Sequence, residues 1–398
     1  MSQFKKITQD ILRKLSNNVP QASFSVIFWD GTKENYGAGT PQFILNFKTE
    51  NAAKRMISSG SLGFGEEYID GNILVEGDID KLLQLGSDPS LQNLKLSLGT
   101  KINILFHHFK TLNTLINSKK NISHSYDLGN DYFKLFLDKS MTYSCAYFRK
   151  ENDTLEQAQL QKYEHICRKL LLKKEDTLID IGSGWGGMLV YAAKNYGIKG
   201  VGCTISKEQY EYSKELTKKE GLENRVTFLF EDYRNMKGNF SKLVSIGMAE
   251  HVGKKYFPMF IKTIKSLTRL EGIGLLHTMG HEFDMPEEVF TSKYLFPGYY
   301  VPSLAEIVNL LGKNGLTITD VENLRLHYAK TLDEWTNQIK EHSEKIKTII
   351  GERLLRLWYL GFKAASVNFR YGTSRLYQIT FTNGLNNSLP LTREYLYT

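Results

Sequence analysis

The sequence predicts an α/β fold, in which helices cover a parallel sheet, preceded by a smaller α+β domain. Two patterns support this prediction. The first is a buried strand that runs directly into a glycine-rich turn and a helix, Thr177-Leu-Ile-Asp-Ile-Gly-Ser-Gly-Trp-Gly-Gly187. The second is an alternation of apolar runs with helical stretches, which is typical of a parallel sheet covered on both faces. The strands are predicted near residues 176–181, 199–204, 225–230, 242–247 and 272–279.

Residues 1–110 are predicted to form the N-terminal α+β domain, a candidate lipid- or membrane-docking region. The first element is an amphipathic helix over 4–15, in which Phe4, Ile7, Ile11 and Leu15 recur at helical spacing beside Lys5, Lys6, Arg13 and Lys14. Such a helix either meets anionic lipid or packs on its own domain. The other elements of this domain are strands over 23–29, 41–47 and 73–77, a turn at Asp30-Gly31, and helices over 51–58 and 79–85.

A linker is predicted over 111–122, followed by a catalytic domain over 123–398. A helix over 155–172 precedes the glycine-rich strand. Beyond the parallel sheet, the periodicity predicts helical stretches over 293–311 and 332–349 and a long helix over 352–371. A last strand over 374–381 is expected at an antiparallel edge of the sheet.

Composition and charge limit the classes of function. The chain has 398 residues, a net charge of +8 and three cysteines. No apolar run approaches the roughly 20 residues that span a bilayer, and the N-terminus lacks a signal-peptide core, so a cytoplasmic protein is expected. The odd, widely spaced cysteines argue against a disulfide framework. The positive charge suits an anionic partner, nucleic acid or membrane headgroups, and is also compatible with solubility alone.

The glycine turn is the candidate ligand site. Such a turn lets a nucleotide-bearing ligand lie against bare backbone beyond the carboxyl ends of parallel strands. Gly182, Gly184 and Gly187 fit the dinucleotide pattern G-x-G-x-x-G. A dinucleotide fold usually carries Asp or Glu at the end of the next strand, where this chain has residues 204–206 and then Gln209. The nicotinamide interpretation is therefore weakened, and a tight turn without a ligand is the structural alternative.

The motifs resemble those of class I S-adenosylmethionine methyltransferases. The glycine turn followed by Thr204-Ile-Ser-Lys-Glu-Gln209 is similar to the cyclopropane-fatty-acid synthase family. Four further motifs match that family in order: Tyr143-Ser-Cys-Ala-Tyr147, Glu250-His-Val-Gly253, His277-Thr-Met-Gly280 and Tyr328-Ala-Lys-Thr-Leu332. The chain departs from the family at Ser125, which stands beside His124 where a histidine is usual. The resemblance implies a class I methyltransferase Rossmann-like sheet with flanking helices.

The resemblance also implies two sets of site residues. Contacts to S-adenosylmethionine are implied for Tyr143, Ser144, Asp180, Gly182, Ser183, Gly184, Trp185, Gly186, Thr204, Ile205, Gln209, Asp232 and Tyr233. A bicarbonate ion is implied at the catalytic residues Cys145, Glu250, His277 and Tyr328 and the backbone of Met279. Glu250 follows one strand of the predicted parallel sheet and His277 ends another, and such strand ends share one edge with the glycine turn.

A base is what the implied reaction needs. The resemblance implies that an isolated cis double bond in a phospholipid acyl chain takes a methyl group and closes to a cyclopropane ring. The carbocation formed on the way must be kept from water, and the new methyl group must lose a proton. Tyr143, Tyr147 and Tyr328 are candidates to stabilise the cation. The resemblance further implies a homodimer bound peripherally to the inner face of the membrane.

Other interpretations of the sequence stay open. Each site residue has a structural alternative, and a Cys/His/Glu set also suits zinc, although the tight ligand pairing typical of zinc is missing. A related methyltransferase acting on an amine, or one making a branched lipid, is the second hypothesis. A non-catalytic membrane-binding protein is the third. A nucleic-acid methyltransferase is not expected, because no Asn-Pro-Pro-Tyr-type element or basic-aromatic strip for base flipping is present.

Overall fold

The computed structural model of the protein describes residues 3–19, 22–86, 117, 118, 121 and 128–397. Most of the predicted linker, together with His124 and Ser125, lies outside these residues. The chain divides into two compact units. The first contains Met1–Lys110, Glu288–Leu295 and Thr336–Gly372, and the second contains Thr111–Glu287, Phe296–Trp335 and Thr373–Thr398. This division differs from the predicted domains, because two late segments group with the N-terminal residues.

The described residues form eleven strands and twelve α-helices, apart from short 3₁₀ turns. Up to residue 86 they are α1 (Gln3–Asn18), β1 (Phe24–Ile27), β2 (Lys33–Tyr36), β3 (Phe43–Phe47), α2 (Glu50–Ile69), β4 (Ile73–Gly77) and α3 (Ile79–Gly86). From residue 128 to 267 they are α4 (Asn130–Phe133), α5 (Leu155–Lys169), β5 (Thr177–Ile181), α6 (Gly187–Tyr196), β6 (Lys199–Thr204), α7 (Lys207–Lys219), β7 (Val226–Phe230), β8 (Phe240–Ile246) and α8 (Phe257–Leu267). The remainder are β9 (Thr268–Gly280), α9 (Val289–Tyr294), α10 (Leu304–Lys313), β10 (Leu316–Asn323), α11 (Arg325–Glu341), α12 (Ser343–Tyr371) and β11 (Arg375–Asn383).

The first unit is built on a four-stranded sheet of order β2-β1-β3-β4. β1 pairs antiparallel with β2 through the predicted turn, where Gly31 takes the positive φ of 83° that glycine tolerates. β1 also pairs parallel with β3. The alternation of β3, whose Phe43, Leu45 and Phe47 are buried, gives this sheet an apolar face.

Helix α1 packs on this sheet, which confirms packing on its own domain and leaves its exposed face for contact with a lipid surface. Leu12 is buried in the same cluster as Phe24 and Phe43. The expected basic row is wrong at Lys5, which is only 2% exposed and donates a 2.7 Å hydrogen bond from Nζ to Asp30. Lys5 cannot reach a lipid headgroup, because its charge is used inside the unit.

A buried carboxylate explains why residues 288–295 group with the first unit. Glu66 on α2 accepts hydrogen bonds from Lys293 Nζ at 2.6 Å and from Tyr294 Oη at 2.7 Å. Burial favours the neutral carboxyl, but these two donors outweigh it and hold the pKa of Glu66 below its ordinary value. Glu66 thus has a structural role in this unit.

The second unit contains a seven-stranded sheet of order β10-β11-β9-β8-β5-β6-β7. The five predicted strands are β5 to β9, and they run parallel to one another as expected. The edge position predicted for the last strand is wrong, since β11 pairs antiparallel with both β9 and β10. The edge strand on this side of the sheet is β10, whose polar sequence does not predict a strand.

The predicted helix over 293–311 is also wrong, because α9 and α10 are separate helices. Between them Gly298 has a φ of 73° and Pro302 lacks an N–H, and neither continues a helix. α12 is longer than predicted and is interrupted at Gly351, whose φ is 82° and ψ is 161°. No helix among residues 3–19, 22–86 and 128–397 is long and apolar enough to cross a membrane.

Candidate active site

A cleft lies at the carboxyl ends of β5, β6 and β8 in the second unit. The space between its walls is about 1070 Å³, which includes the part that is open to solvent. Twelve of the thirteen residues predicted to contact S-adenosylmethionine line it. They are Tyr143, Ser144, Asp180, Gly182, Ser183, Gly184, Trp185, Thr204, Ile205, Gln209, Asp232 and Tyr233.

The glycine turn forms one wall of the cleft. The N–H groups of Gly182 and Ser183 both donate to Cys203 O at 3.0 Å, which ties the turn to β6. Gly184 has a φ of 53°, and a Cβ built there would meet nothing within 4 Å. Gly186 does not line the cleft, and a Cβ there would lie 2.7 Å from the ring of Phe228. Its lack of a side chain is therefore required by packing.

The ends of β6 and β7 supply polar groups to the cleft. The Thr204 hydroxyl donates to Gln209 Oε1 at 2.8 Å, so the orientation of this amide is fixed. Asp232 forms an ion pair with Arg234 at 2.6 Å. Tyr233 lines the cleft and also packs edge-on against Phe260, with ring centroids 5.3 Å apart. The position of Tyr233 therefore suits both the implied cofactor contact and packing against α8.

A lysine that the sequence analysis missed also lines the cleft. Lys162 on α5 is fully buried, and its Nζ donates to Ser144 Oγ at 2.9 Å. Burial lowers the pKa of Lys162 to about 7. The available signal is helical spacing, because Gln159, Lys162, Tyr163 and Ile166 follow the i, i+3, i+4, i+7 pattern of a buried face. The other lining residues that were not predicted include Glu231, Arg234, Met248 and His251.

Glu250 and Met279 are brought together at the ends of β8 and β9. Glu250 lies in a 3₁₀ turn, and its Oε1 accepts a 2.6 Å hydrogen bond from the N–H of Met279. Its Oε2 is buried and has no hydrogen-bond partner in the described part of the chain. Burial raises the pKa of Glu250 to about 7.

His277 lies two residues before Met279 on the same strand and is 1% exposed. In the present orientation of its amide, Gln378 donates from its nitrogen to Nδ1 at 3.2 Å, and with this orientation the ring proton lies on Nε2. This Nε2 is buried and lacks a partner among residues 128–397 and the other described residues. Burial lowers the pKa of His277 well below its ordinary value, so the ring is neutral.

Cys145 and Tyr328 belong to two segments that are joined by a hydrogen bond. The N–H of Ala146 donates to Thr331 Oγ1 at 3.0 Å, and Thr331 lies one turn beyond Tyr328 on α11. The thiol of Cys145 donates to the carbonyl of Ala146 at 3.2 Å. Burial raises the pKa of this thiol far above its ordinary value, so it is neutral and a poor nucleophile.

None of Cys145, Glu250, His277, Met279 and Tyr328 is among the residues lining the cleft. The cleft reaches Met248, His251 and Val252, on either side of Glu250. In the described ranges, no three or more His, Cys, Asp or Glu side chains are grouped closely enough to hold a metal ion. Glu250 and His277 thus have buried polar atoms without hydrogen-bond partners among the described residues, next to the cleft.

Comparison with known proteins identifies the family. The family described as mycolic acid cyclopropane synthetase matches residues 113–379, and a domain of unknown function matches residues 11–91. The chain is 36% identical over 361 residues to the cyclopropane-fatty-acyl-phospholipid synthase of Escherichia coli, covering 88% of this chain and 90% of that relative. It is 33% identical over 381 residues to a probable fatty acid methyltransferase of Pseudomonas putida, covering 93% and 95%.

Solved structures agree with this result. A crystal structure of a mycolic acid cyclopropane synthase complexed with SAH and CTAB superposes with a TM-score of 0.63 at 30% identity, covering 66% of this chain and 98% of that one. A coclaurine N-methyltransferase, with a TM-score of 0.66 at 17% identity, shares the fold alone. The chain therefore belongs to the mycolic acid cyclopropane synthetase family and is an S-adenosylmethionine-dependent methyltransferase with the class I fold.

Proposed function

We propose that the protein converts cis double bonds in the acyl chains of membrane phospholipids into cyclopropane rings, with the added carbon taken from S-adenosylmethionine. The observation that carries this proposal is the pair of unpartnered buried atoms, Glu250 Oε2 and His277 Nε2, in the described part of the chain beside the cleft. The relationship to the Escherichia coli synthase over most of the chain supports the substrate class.

The reaction has two bond-forming steps. In the first, the electron pair of the double bond forms a bond to the methyl carbon, the sulfur–carbon bond breaks, and a positive charge is left on the neighbouring chain carbon. In the second, a C–H bond of the new methyl group breaks, its electron pair closes the ring, and the proton passes to a base. Water must be excluded in between, because it would trap the cation.

Bicarbonate, when bound, would supply that base, and the donors of this region fit a small anion. The Nε2–H of His277 is a donor without an acceptor among the described residues, and the neutral form of Glu250 offers a second one at Oε2. Cys145 and Tyr328 complete the set by resemblance. The backbone N–H of Met279 already donates to Glu250, so its part is to orient this carboxyl.

Of the three aromatic residues considered for stabilising the cation, Tyr143 is the best placed. Its ring lines the cleft and packs against Trp335, with centroids 5.0 Å apart. Tyr147 is stacked between His165 and His327, at 4.2 and 4.7 Å, so both faces of its ring are covered. A cation–π contact needs an open ring face, and this excludes Tyr147 from the role.

The proposal is tested by expressing the protein in cells whose lipids contain cis-unsaturated chains. We expect mass spectrometry to find phospholipids that have gained one CH2 unit and lost the reactivity of the double bond. Methylated amines or headgroups with intact double bonds would favour the amine methyltransferase instead. A lipid fraction unchanged from that of control cells would contradict the proposal.

We further propose that the enzyme acts at the inner, cytoplasmic face of the membrane and binds it partly by charge. Lys6, Arg13 and Lys14 are exposed on α1, whereas Lys5 is not. Changing these three residues to Gln should weaken sedimentation with anionic vesicles, most clearly at low salt, because each basic residue near the surface contributes about 1 kcal/mol. Lys5 is kept, since its ion pair with Asp30 belongs to the fold.

The matched control changes the same number of exposed charges on α7, namely Lys207, Lys218 and Lys219 to Gln. This control variant should sediment more completely than the α1 variant. Equal losses would show that only net charge matters. An α1 variant that sediments as well as the parent protein would exclude α1 from membrane binding.

A further inference from the structure

Two buried groups of opposite charge line the cleft without forming an ion pair with each other. Lys162 is fully buried and makes a single hydrogen bond to the described residues, at Ser144 Oγ, besides a contact of its ammonium with the ring of Tyr163 at 4.7 Å. Asp180 is 2% exposed, and its Oδ1 has no hydrogen-bond partner in the described part of the chain. Both residues are among those lining the cleft.

The neighbouring groups offset these charges only in part: the charge of each of the two groups acts on the pKa of the other, but no ion pair joins them. The nearby carboxylate of Asp138 is already occupied, since it accepts hydrogen bonds from the N–H groups of Ser140 at 2.9 Å and Thr142 at 3.0 Å. An ammonium has three donors, and only one donates to an acceptor among the described residues. A buried charge is costly unless it is paired. A ligand that pairs with both groups removes this cost, and its binding is strengthened accordingly.

A zwitterion is the ligand chemistry that satisfies one unpaired cation and one unpaired carboxylate together. The methionine end of S-adenosylmethionine is an α-amino acid with this charge pattern. The glycine turn and Gln209 also line this cleft, so the nucleoside end can bind to them and does not need Lys162 or Asp180. Burial shifts the pKa of Lys162 down and that of Asp180 up, both to about 7, although the charge of each group opposes this shift in the other.

We propose that Lys162 binds the carboxylate of the methionine moiety, beside Asp180, whose contact with the cofactor the family resemblance already implies. Ser144, which accepts from Lys162, sets the position of the lysine Nζ. Lys162 thereby becomes a cofactor-binding residue that the sequence motifs do not indicate. Its role rests on the use of S-adenosylmethionine and is independent of the acyl substrate in the proposed function.

The test removes the carboxylate from the ligand and the ammonium from the protein, separately and together. Binding of S-adenosylhomocysteine and of its decarboxylated analogue is measured by calorimetry for the parent enzyme and for Lys162→Met, which preserves chain length without charge. For the parent, we expect loss of the ligand carboxylate to weaken binding at least about tenfold, the scale of a hydrogen bond to a charged group. For Lys162→Met, the two ligands should bind with nearly equal affinity.

Binding of 5′-methylthioadenosine, which lacks the whole amino acid, is the control for an intact nucleoside site and should be the same in both proteins. The parent measurement alone overturns the proposal if the decarboxylated analogue binds as tightly as S-adenosylhomocysteine, even if Lys162→Met does not fold. Equal weakening of all ligands by Lys162→Met would show that the lysine only supports the fold. Lipid product is not measured in this test, so its outcome is separate from that of the cyclopropanation assay.

Discussion

Replacing Glu250 with glutamine will lower turnover by about 10²-fold or more and leave the affinity for S-adenosylmethionine unchanged. Glutamine keeps an oxygen that accepts from the N–H of Met279, so the local fold is preserved. It removes the buried carboxyl whose pKa is raised to about 7, and with it the group that would orient the base. The cofactor cleft is lined by neighbours of Glu250 and not by Glu250 itself, so binding should be unaffected.

Two further variants and the removal of bicarbonate test the same prediction. His277→Ala and Tyr328→Phe should lower turnover in a similar way, and their effects should not add to that of Glu250→Gln, because all three residues would serve one anion. Stripping bicarbonate from the buffer should slow the parent enzyme, and adding it back should restore the rate. A parent indifferent to bicarbonate with an inactive Glu250→Gln would make Glu250 itself the base. A fully active Glu250→Gln would exclude this site.

Replacing Gly184 with valine will weaken S-adenosylmethionine binding by at least about 10²-fold, toward the upper end of what overpacking costs. The position has open space on the cleft side, where a branched side chain would occupy room that the cofactor needs. Its φ of 53° also adds backbone strain of about 1–2 kcal/mol for any residue other than glycine. Calorimetry on the folded variant measures the affinity.

Gly221→Val is the matched control for that strain. Gly221 has a φ of 66°, and a Cβ placed on it would meet nothing within 4 Å, but it lies after α7 and away from the cleft. Both variants should lose comparable thermal stability, and only Gly184→Val should lose the cofactor. If both bind S-adenosylmethionine like the parent, the glycine turn is not the cofactor site.

The parts of the site that can be predicted from the sequence are those whose geometry follows from strand order. Glu250 follows β8 and His277 lies near the carboxyl end of β9, and the ends of parallel strands meet at one edge whatever the side chains do. The positions of Cys145 and Tyr328 depend on a long-range hydrogen bond between Ala146 and Thr331, which no local sequence pattern predicts. For these two residues only the family resemblance points to the site.

Two of the errors have a common physical origin in lysines that are buried. Helical spacing places Lys5 with the surface lysines of α1, although it pairs with Asp30 inside the first unit. Lys162 is not predicted as a site residue from the sequence, because a lysine on a helix is usually solvated. A separate error concerns β10, whose polar sequence does not predict a strand. A prediction from sequence therefore places β11 at the edge of the sheet instead of β10. Homodimerisation stays a prediction.

The central claim is that the chain closes a cyclopropane ring by losing a proton from the transferred methyl group. The most direct measurement incubates the purified enzyme with cis-unsaturated phospholipid vesicles and S-adenosylmethionine whose methyl group is fully deuterated. The account predicts a product whose new ring carbon has lost one deuterium and kept the other two. A product that retains the whole deuterated methyl group, on a chain carbon or on an amine, would contradict it.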